Sequence, residues 1–235
     1  MRFFLKNIYI IFFLLLLQTA CNKNETLPPQ DVGYSFFPYL PGDYIQYDVD
    51  STYYDDFADT VKNYSFKLIE YYESFFYDEE GRECIRIERW IKTTDSTKWF
   101  LRDVWYSCFT SAFAERVEEN VRITKLAFPV KSKNKWNGNA FNTYETQTYQ
   151  YENLNKPYLV NNINFDTTVT VMQSNLNNLI EEQNQYEIYA KHTGLVYKKY
   201  YSVKKDFLTG NIVSGVYFVW KYKNSGKFSK NLIET

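Results

Sequence analysis

The chain has 235 residues and a formal net charge of −1, with 27 basic and 28 acidic side chains spread along its length. No basic stripe is present, which excludes the electrostatic footprint of a nucleic-acid-binding protein. Aromatic residues make up 20% of the chain, 23 Tyr, 19 Phe and 5 Trp against 8 Gly and 6 Pro, a composition suited to half-buried pleated surfaces.

The N-terminus has the layout of an export signal over residues 1–20. Arg2 and Lys6 precede an apolar run from Ile8 to Leu17, and Gln18, Thr19 and Ala20 lead into Cys21. A run of about ten residues covers only about 15 Å as a helix, roughly half the hydrocarbon core of a bilayer, and is too short to span it. Leu17-Gln18-Thr19-Ala20-Cys21 resembles the bacterial lipobox, with Gln18 where that box usually has Leu, Val or Ile. The resemblance implies that Cys21 is acylated and begins the mature chain, attached to the membrane through its acyl chains, each methylene contributing about 0.8 kcal/mol. Residues 21–33, with Glu25, Pro28 and Pro29, read as a tether. Without Arg2 and Lys6 the remainder carries about −3, and its roughly 215 residues suffice for one domain or two small ones.

That domain is expected over 34–228, followed by a tail at 229–235. Phe37-Pro38 through Gly42-Asp43 is a turn-rich approach to a strand over 44–49, and Asp50 to Asp59 reads as an acidic connection. Alternation returns over 63–73, and Asp78-Glu79-Glu80-Gly81 signals a hairpin turn. Glu115 to Ala127 follows, with a short helix expected at its start. A second Phe-Pro pair, Phe128-Pro129, precedes Trp136-Asn137-Gly138, an echo that suggests two related halves meeting near 127. Strands are expected over 144–151 and 165–173. Leu176, Leu179 and Ile180 have helical spacing behind Asn175, which predicts a short helix over 176–183. Two runs, 194–204 and 212–223, form a last hairpin, after which Phe228 to Thr235 is expected to fray. The fold class is mostly β: a curved antiparallel sheet, either partial barrel or sandwich, with one or two short helices.

Cys84 and Cys108 lie in two alternating runs joined by a polar turn about Ser96. A hairpin centred there pairs Ile87 with Trp105, Arg89 with Asp103, Trp90 with Arg102, Ile91 with Leu101 and Cys84 with Cys108. Opposed cysteines at a non-hydrogen-bonded position are near enough to bridge; two half-buried free thiols are the other possibility.

The Phe-Pro and Gly-Asp-Tyr pieces near the start, Leu126-Ala127-Phe128-Pro129 with Trp136-Asn137-Gly138-Asn139, and the runs Phe165 to Val171 and Glu187 to Tyr197 resemble uncharacterised Bacteroidota envelope lipoproteins. The resemblance implies an outer-membrane lipoprotein, periplasmic or surface-facing, and no defined activity. The residues supply few catalytic parts. His192 is the lone histidine, and neither Ser202 nor Ser214 sits in a glycine-flanked nucleophile turn. No metal or cofactor motif is present; Asp55, Asp56 and Asp59 lack the spacing of a calcium loop. Trp90, Trp99, Trp105, Trp136 and Trp220 are the candidate ligand contacts, lining a sugar-stacking face or an apolar cavity, or else filling the core. The expected function is that of a non-enzymatic anchored module binding envelope proteins, with a lipid or glycan carrier as the alternative and a glycoside hydrolase third.

Overall fold

A computed structural model describes residues 31–58, 60–93 and 98–234. The signal, Cys21, most of the tether, Asp59 and the hairpin turn about Ser96 lie outside the described residues. Twelve strands form one sheet: β1 (Asp43–Asp55), β2 (Thr60–Tyr77), β3 (Glu83–Lys92), β4 (Phe100–Phe109), β5 (Phe113–Glu118), β6 (Val121–Ala127), β7 (Lys135–Asn137), β8 (Thr148–Val160), β9 (Ile163–Asn177), β10 (Glu181–Ala190), β11 (Gly194–Lys205) and β12 (Ile212–Lys227). The sheet order is β6-β5-β4-β3-β2-β1-β12-β11-β10-β9-β8-β7, every neighbouring pair antiparallel. Two six-strand meanders therefore share the β1–β12 seam, and the chain passes between them over 128–134.

The sheet curls until its two edges nearly meet, making a barrel and not a sandwich. Thr124 of β6 donates its N–H to Gly138 O beyond β7 at 2.8 Å, and Trp136 Nε1 donates to Thr124 O at 2.9 Å. Tyr151 of β8 spans the same gap, its hydroxyl donating to Ala127 O and accepting from Ala127 N, both at 2.8 Å. Closure removes most of the edge an open sheet would expose.

One end of the barrel, the base, is plugged by the residues that precede β1. Tyr34–Phe36 form a 3-10 turn, Phe36 and Phe37 are buried in the core, and Ser35 O accepts from His192 N at 2.7 Å. Aromatic side chains of Tyr34, Phe109 and Phe128 meet edge to face or tilted around this plug. The other end, where β1–β2, β5–β6, β9–β10 and β11–β12 turn, is the mouth. Val32–Thr235 contains every strand and core residue among the described residues, as one compact unit.

Several local expectations change. No helix starts at Glu115: Glu119 and Asn120 take left-handed φ of 48° and 63° and turn β5 tightly into β6. Residues 176–183 end β9 and begin β10, because Asn178 Oδ1 accepts from both Ile180 N and Glu181 N at 2.9 Å and bends the chain before a helix can form. Strand β1 runs on to Asp55, through residues expected as a connection. The β3–β4 register has Cys84 opposite Cys108, Ile87 opposite Trp105 and Arg89 opposite Asp103, then slips at a bulge, so Trp90 faces Leu101 and Ile91 faces Phe100. The C-terminal segment is tied down: Phe228 stacks on Tyr71 with centroids 3.9 Å apart, and Asn231–Glu234 form a short helix, α1.

Gly215 in β12 has φ 141°, and a Cβ there would run into Ser202 O and lie 2.6 Å from Val203 Cα of β11. Gly215→Ala must push two paired backbones apart. It should lower the thermal midpoint by at least about 4 °C, measured by circular dichroism, whereas Gly210→Ala, with nothing within 4 Å of its Cβ, should cost less.

Candidate functional site

The side of each strand that faces the lumen should be apolar, yet a layer of charge crosses it. Pairing places Glu70 of β2 beside Arg89 of β3, Arg89 beside Asp103 of β4, and Glu187 of β10 beside Lys198 of β11. Arg116 and Glu118 of β5 and Lys125 of β6 complete a set of four acids and four bases. Arg116 Nη1 donates to both oxygens of Glu70 at 3.2 and 3.0 Å, and Arg89 Nη1 to both oxygens of Asp103 at 2.9 Å. Arg89 Nε lies 3.6 Å from Glu70 Oε1.

The second half of the layer spans the lumen. Lys125 Nζ is 2.8 Å from Glu118 Oε1 and 2.9 Å from Glu187 Oε1; Lys198 Nζ is 3.2 Å from Glu187 Oε1 and 3.9 Å from Glu118 Oε2. Tyr189 adds a hydroxyl to Glu187 Oε2 at 2.6 Å. Burial by itself would raise the Glu118 pKa, but the ammonium groups of Lys125 and Lys198 outweigh it and bring Glu118 down to about 2. Glu187 is pulled lower by the same two lysines, with the Tyr189 hydroxyl assisting. Lys125, buried between the two carboxylates, is raised well above its usual value by them despite desolvation. Both glutamates are therefore ionised at neutral pH, and neither can donate a proton as a glycosidase acid does.

Above the layer the mouth holds a cavity of about 430 Å³, lined by Val49, Tyr64, Phe66, Trp105, Phe218 and Trp220 among apolar residues and by Arg89, Arg102, Glu118, Glu119 and Lys198 among charged ones. The guanidinium of Arg89 lies 3.4 Å from the Trp105 centroid and 5.3 Å from that of Trp220; Lys198 Nζ lies 5.0 Å from Trp220 and 5.9 Å from Phe218. Cations thus occupy faces of the two cavity tryptophans. Trp105 Nε1 is also engaged, donating to Glu119 Oε1 at 3.3 Å.

Only two of the five candidate tryptophans come together. Trp136 is buried at the barrel seam, tilted against Tyr151 at 4.4 Å, where it closes the edge. Trp90 is on the strand face opposite Arg89, its Nε1 donating to Glu88 Oε2, and Trp99 is half-buried just before β4. Cys84 and Cys108 are joined in a disulfide with Cα atoms 4.1 Å apart. Asp78 and these sulfurs lie within 4.8 Å of one another, but sulfurs bonded to each other offer no thiolate to a metal. Asp55 is held by Lys62 at 3.0 Å and by Ala58 N. His192 sits in the β10–β11 turn at the base, at the far end of β11 from Ser202. Sequence reasoning missed Glu70, Arg116, Glu118, Lys125, Glu187 and Lys198, since a charged residue in an alternating run reads as solvent-facing.

No family model matches the chain, and no curated protein does. A solved structure of a DUF1329 family protein from Desulfovibrio piger aligns with 83% of this chain and 90% of its own at 12% identity, with a TM-score of 0.20, a likeness too slight to carry an inference.

Because Glu118 and Glu187 have depressed pKa values in the folded state, their contribution to stability is present above the unfolded carboxyl range, near pH 4.5, and is lost as pH falls toward about 2. Glu187→Gln leaves two lysines sharing one carboxylate. The variant should lose about 3–5 kcal/mol at pH 7, and its stability should fall less steeply than that of the wild type between pH 5 and 2, measured by urea unfolding.

Proposed function

We propose that this chain is a membrane-anchored lipoprotein of a bacterial cell envelope, held by acyl chains on Cys21, and that its barrel is a non-enzymatic binding module with the mouth as its site. The anchor is supported by the basic start, the short apolar run and the lipobox-like residues ending at Cys21. The outer membrane, with the barrel periplasmic or surface-facing, is the location implied by the resemblance to Bacteroidota lipoproteins. The tether, residues 21–33, begins at the acylated cysteine and leads to the β-rich domain.

One observation carries the choice of site. The charge layer and the aromatic plug fill the lumen from mid-height to the base, so the mouth cavity is where a ligand meets both apolar and charged side chains. Its floor is the charge layer, where Glu118 and Glu187 are ion-paired with Lys125 and Lys198 and stay ionised, which suits recognition better than proton transfer. A carrier role is the second reading. Val49, Phe66 and Phe218 favour an apolar or amphipathic ligand over a sugar, because Arg89 and Lys198 already lie over the Trp105 and Trp220 rings.

Two measurements test the two parts. Cys21→Ser should move the protein from the detergent phase to the aqueous phase in Triton X-114 partitioning; retention in the detergent phase would contradict the anchor. Native mass spectrometry of protein purified from its envelope should show a bound small molecule that Tyr64→Ser with Arg102→Ser removes while the melting temperature stays within about 2 °C. Wild-type protein free of any adduct would contradict a tightly held ligand.

A further inference from the structure

Three adjacent hairpin turns at the mouth leave the sheet at one level. Asp55 pairs with Thr60, Tyr54 with Gly215, Lys204 with Ser214 and Glu181 with Lys204, so the last rungs of β1–β2, β11–β12 and β9–β10 lie in a single row. Beyond that row each turn carries large apolar side chains into solvent. Phe57 is fully exposed, Leu179 and Ile180 are 77% and 60% exposed, and Phe207 and Leu208 are 65% and 78% exposed.

The turns do not need these side chains. Each is shaped by a polar residue that precedes them: Asp55 Oδ1 accepts from Ala58 N, Asn178 Oδ1 from Ile180 N and Glu181 N, and Asp206 Oδ1 from Leu208 N and Thr209 N. Polar residues would serve equally well at the tips and would be better hydrated. Five large apolar residues at one level thus call for something apolar to receive them.

Immediately behind the tips the chemistry changes. Tyr53 and Tyr54 stand within two residues of the end of β1, and the Tyr201–Tyr217 pair lies three residues, about 10 Å, below the last rung. Lys204 and Lys205 stand at the last rung of β11 and Lys62 two residues inward of Thr60, long-stemmed cations between the apolar tips and these tyrosines. Apolar tips, then tyrosines and lysines within about 10 Å, reproduce in order the layers of a lipid surface from acyl chains to head groups. A rigid protein partner would need a continuous complementary face of about 800 Å², which three separate convex turns do not present; a fluid bilayer conforms to them.

We propose that the mouth rim docks on a lipid bilayer, with Phe57, Leu179, Ile180, Phe207 and Leu208 entering the boundary between head groups and acyl chains. Five carboxylates, on Asp55, Asp56, Glu181, Glu182 and Asp206, outnumber Lys62, Lys204 and Lys205, so apolar insertion supplies the attraction, anionic lipid adds nothing to it and added salt does not weaken it. Acylation of Cys21 plays no part in this contact, and the rim lies at the opposite end of the barrel from the plug where the chain enters the fold.

The test uses residues 22–235, which include the entire compact unit and no acyl chain, with vesicles of phosphatidylcholine alone and of phosphatidylcholine with one quarter phosphatidylglycerol. The unsubstituted chain should float with both, and the combined Phe57→Ser, Leu179→Ser, Leu208→Ser variant should partition at least about tenfold less with its melting temperature unchanged. Tyr77→Ser with Leu159→Ser, two exposed apolar residues away from the rim, should partition like wild type. An environment-sensitive dye on Leu179→Cys should shift to the blue on vesicle addition and one on Tyr77→Cys should not. Failure of the unsubstituted chain to float, equal flotation of the triple rim variant, or a blue shift at Tyr77→Cys alone would overturn the proposal.

Discussion

Eight charged side chains crossing the inside of a β-barrel set the terms for everything else in this fold. An isolated ion moved out of water costs several kcal/mol even after relaxation, so Glu70, Arg89, Asp103, Arg116, Glu118, Lys125, Glu187 and Lys198 are compatible with the lumen only as a balanced set. Lys125 reaches from β6 to Glu187 on β10, and Glu118 on β5 approaches Lys198 on β11, so the set joins the two meanders through the lumen as well as along the sheet. Hydrophobic packing alone would tolerate several relative placements of these walls. Directional contacts of 2.8–3.2 Å between named charges tolerate few.

The layer also divides the barrel lumen. Toward the base, Ile85 and Ile87 follow Arg89 on β3, Tyr72 follows Glu70 on β2, and the Phe36–Phe37 plug completes the packed core. Above it, the same arginine and lysine that complete the ion pairs lie over Trp105 and Trp220, and the cavity begins. A ligand in the mouth therefore meets a floor that is polar but already paired, and walls that are aromatic. The apolar turn tips lie along one side of this opening, so a bilayer received by them would sit beside the cavity.

Much of the sheet was legible in the sequence, and the site largely was not, for a physical reason. Alternation of period two marks strands such as Gly194–Lys205 and Ile212–Lys227 because one face is buried and the other wet. It also allowed Arg89 to be set opposite Asp103. The pairing failed at the next residue, Trp90, since a bulge between Arg89 and Trp90 leaves no local mark. Leu176, Leu179 and Ile180 had helical spacing because they serve a solvent-exposed tip and need no sheet periodicity. The tight turn at Glu119-Asn120 lacks the glycine that usually announces it. The charge layer was invisible for a different reason: Glu187 and Lys125 are 62 positions apart, and only the closed sheet brings them to 2.9 Å. Of the five tryptophans singled out, Trp105 and Trp220 line the cavity, Trp136 seals the barrel seam, and nothing about their local sequence separates these roles.

The fixed walls and the absence of a proton donor among Glu118 and Glu187 depend on the layer staying ionised at low pH. Carbon-13 chemical shifts of the side-chain carboxyls of Glu118 and Glu187, followed by NMR from pH 7 to pH 3, test it most directly. Both signals should stay at carboxylate positions throughout, because Lys125 and Lys198 hold both carboxyls well below the usual carboxylate range. An inflection between pH 4 and 5 for either residue, in protein that remains folded, would contradict the account.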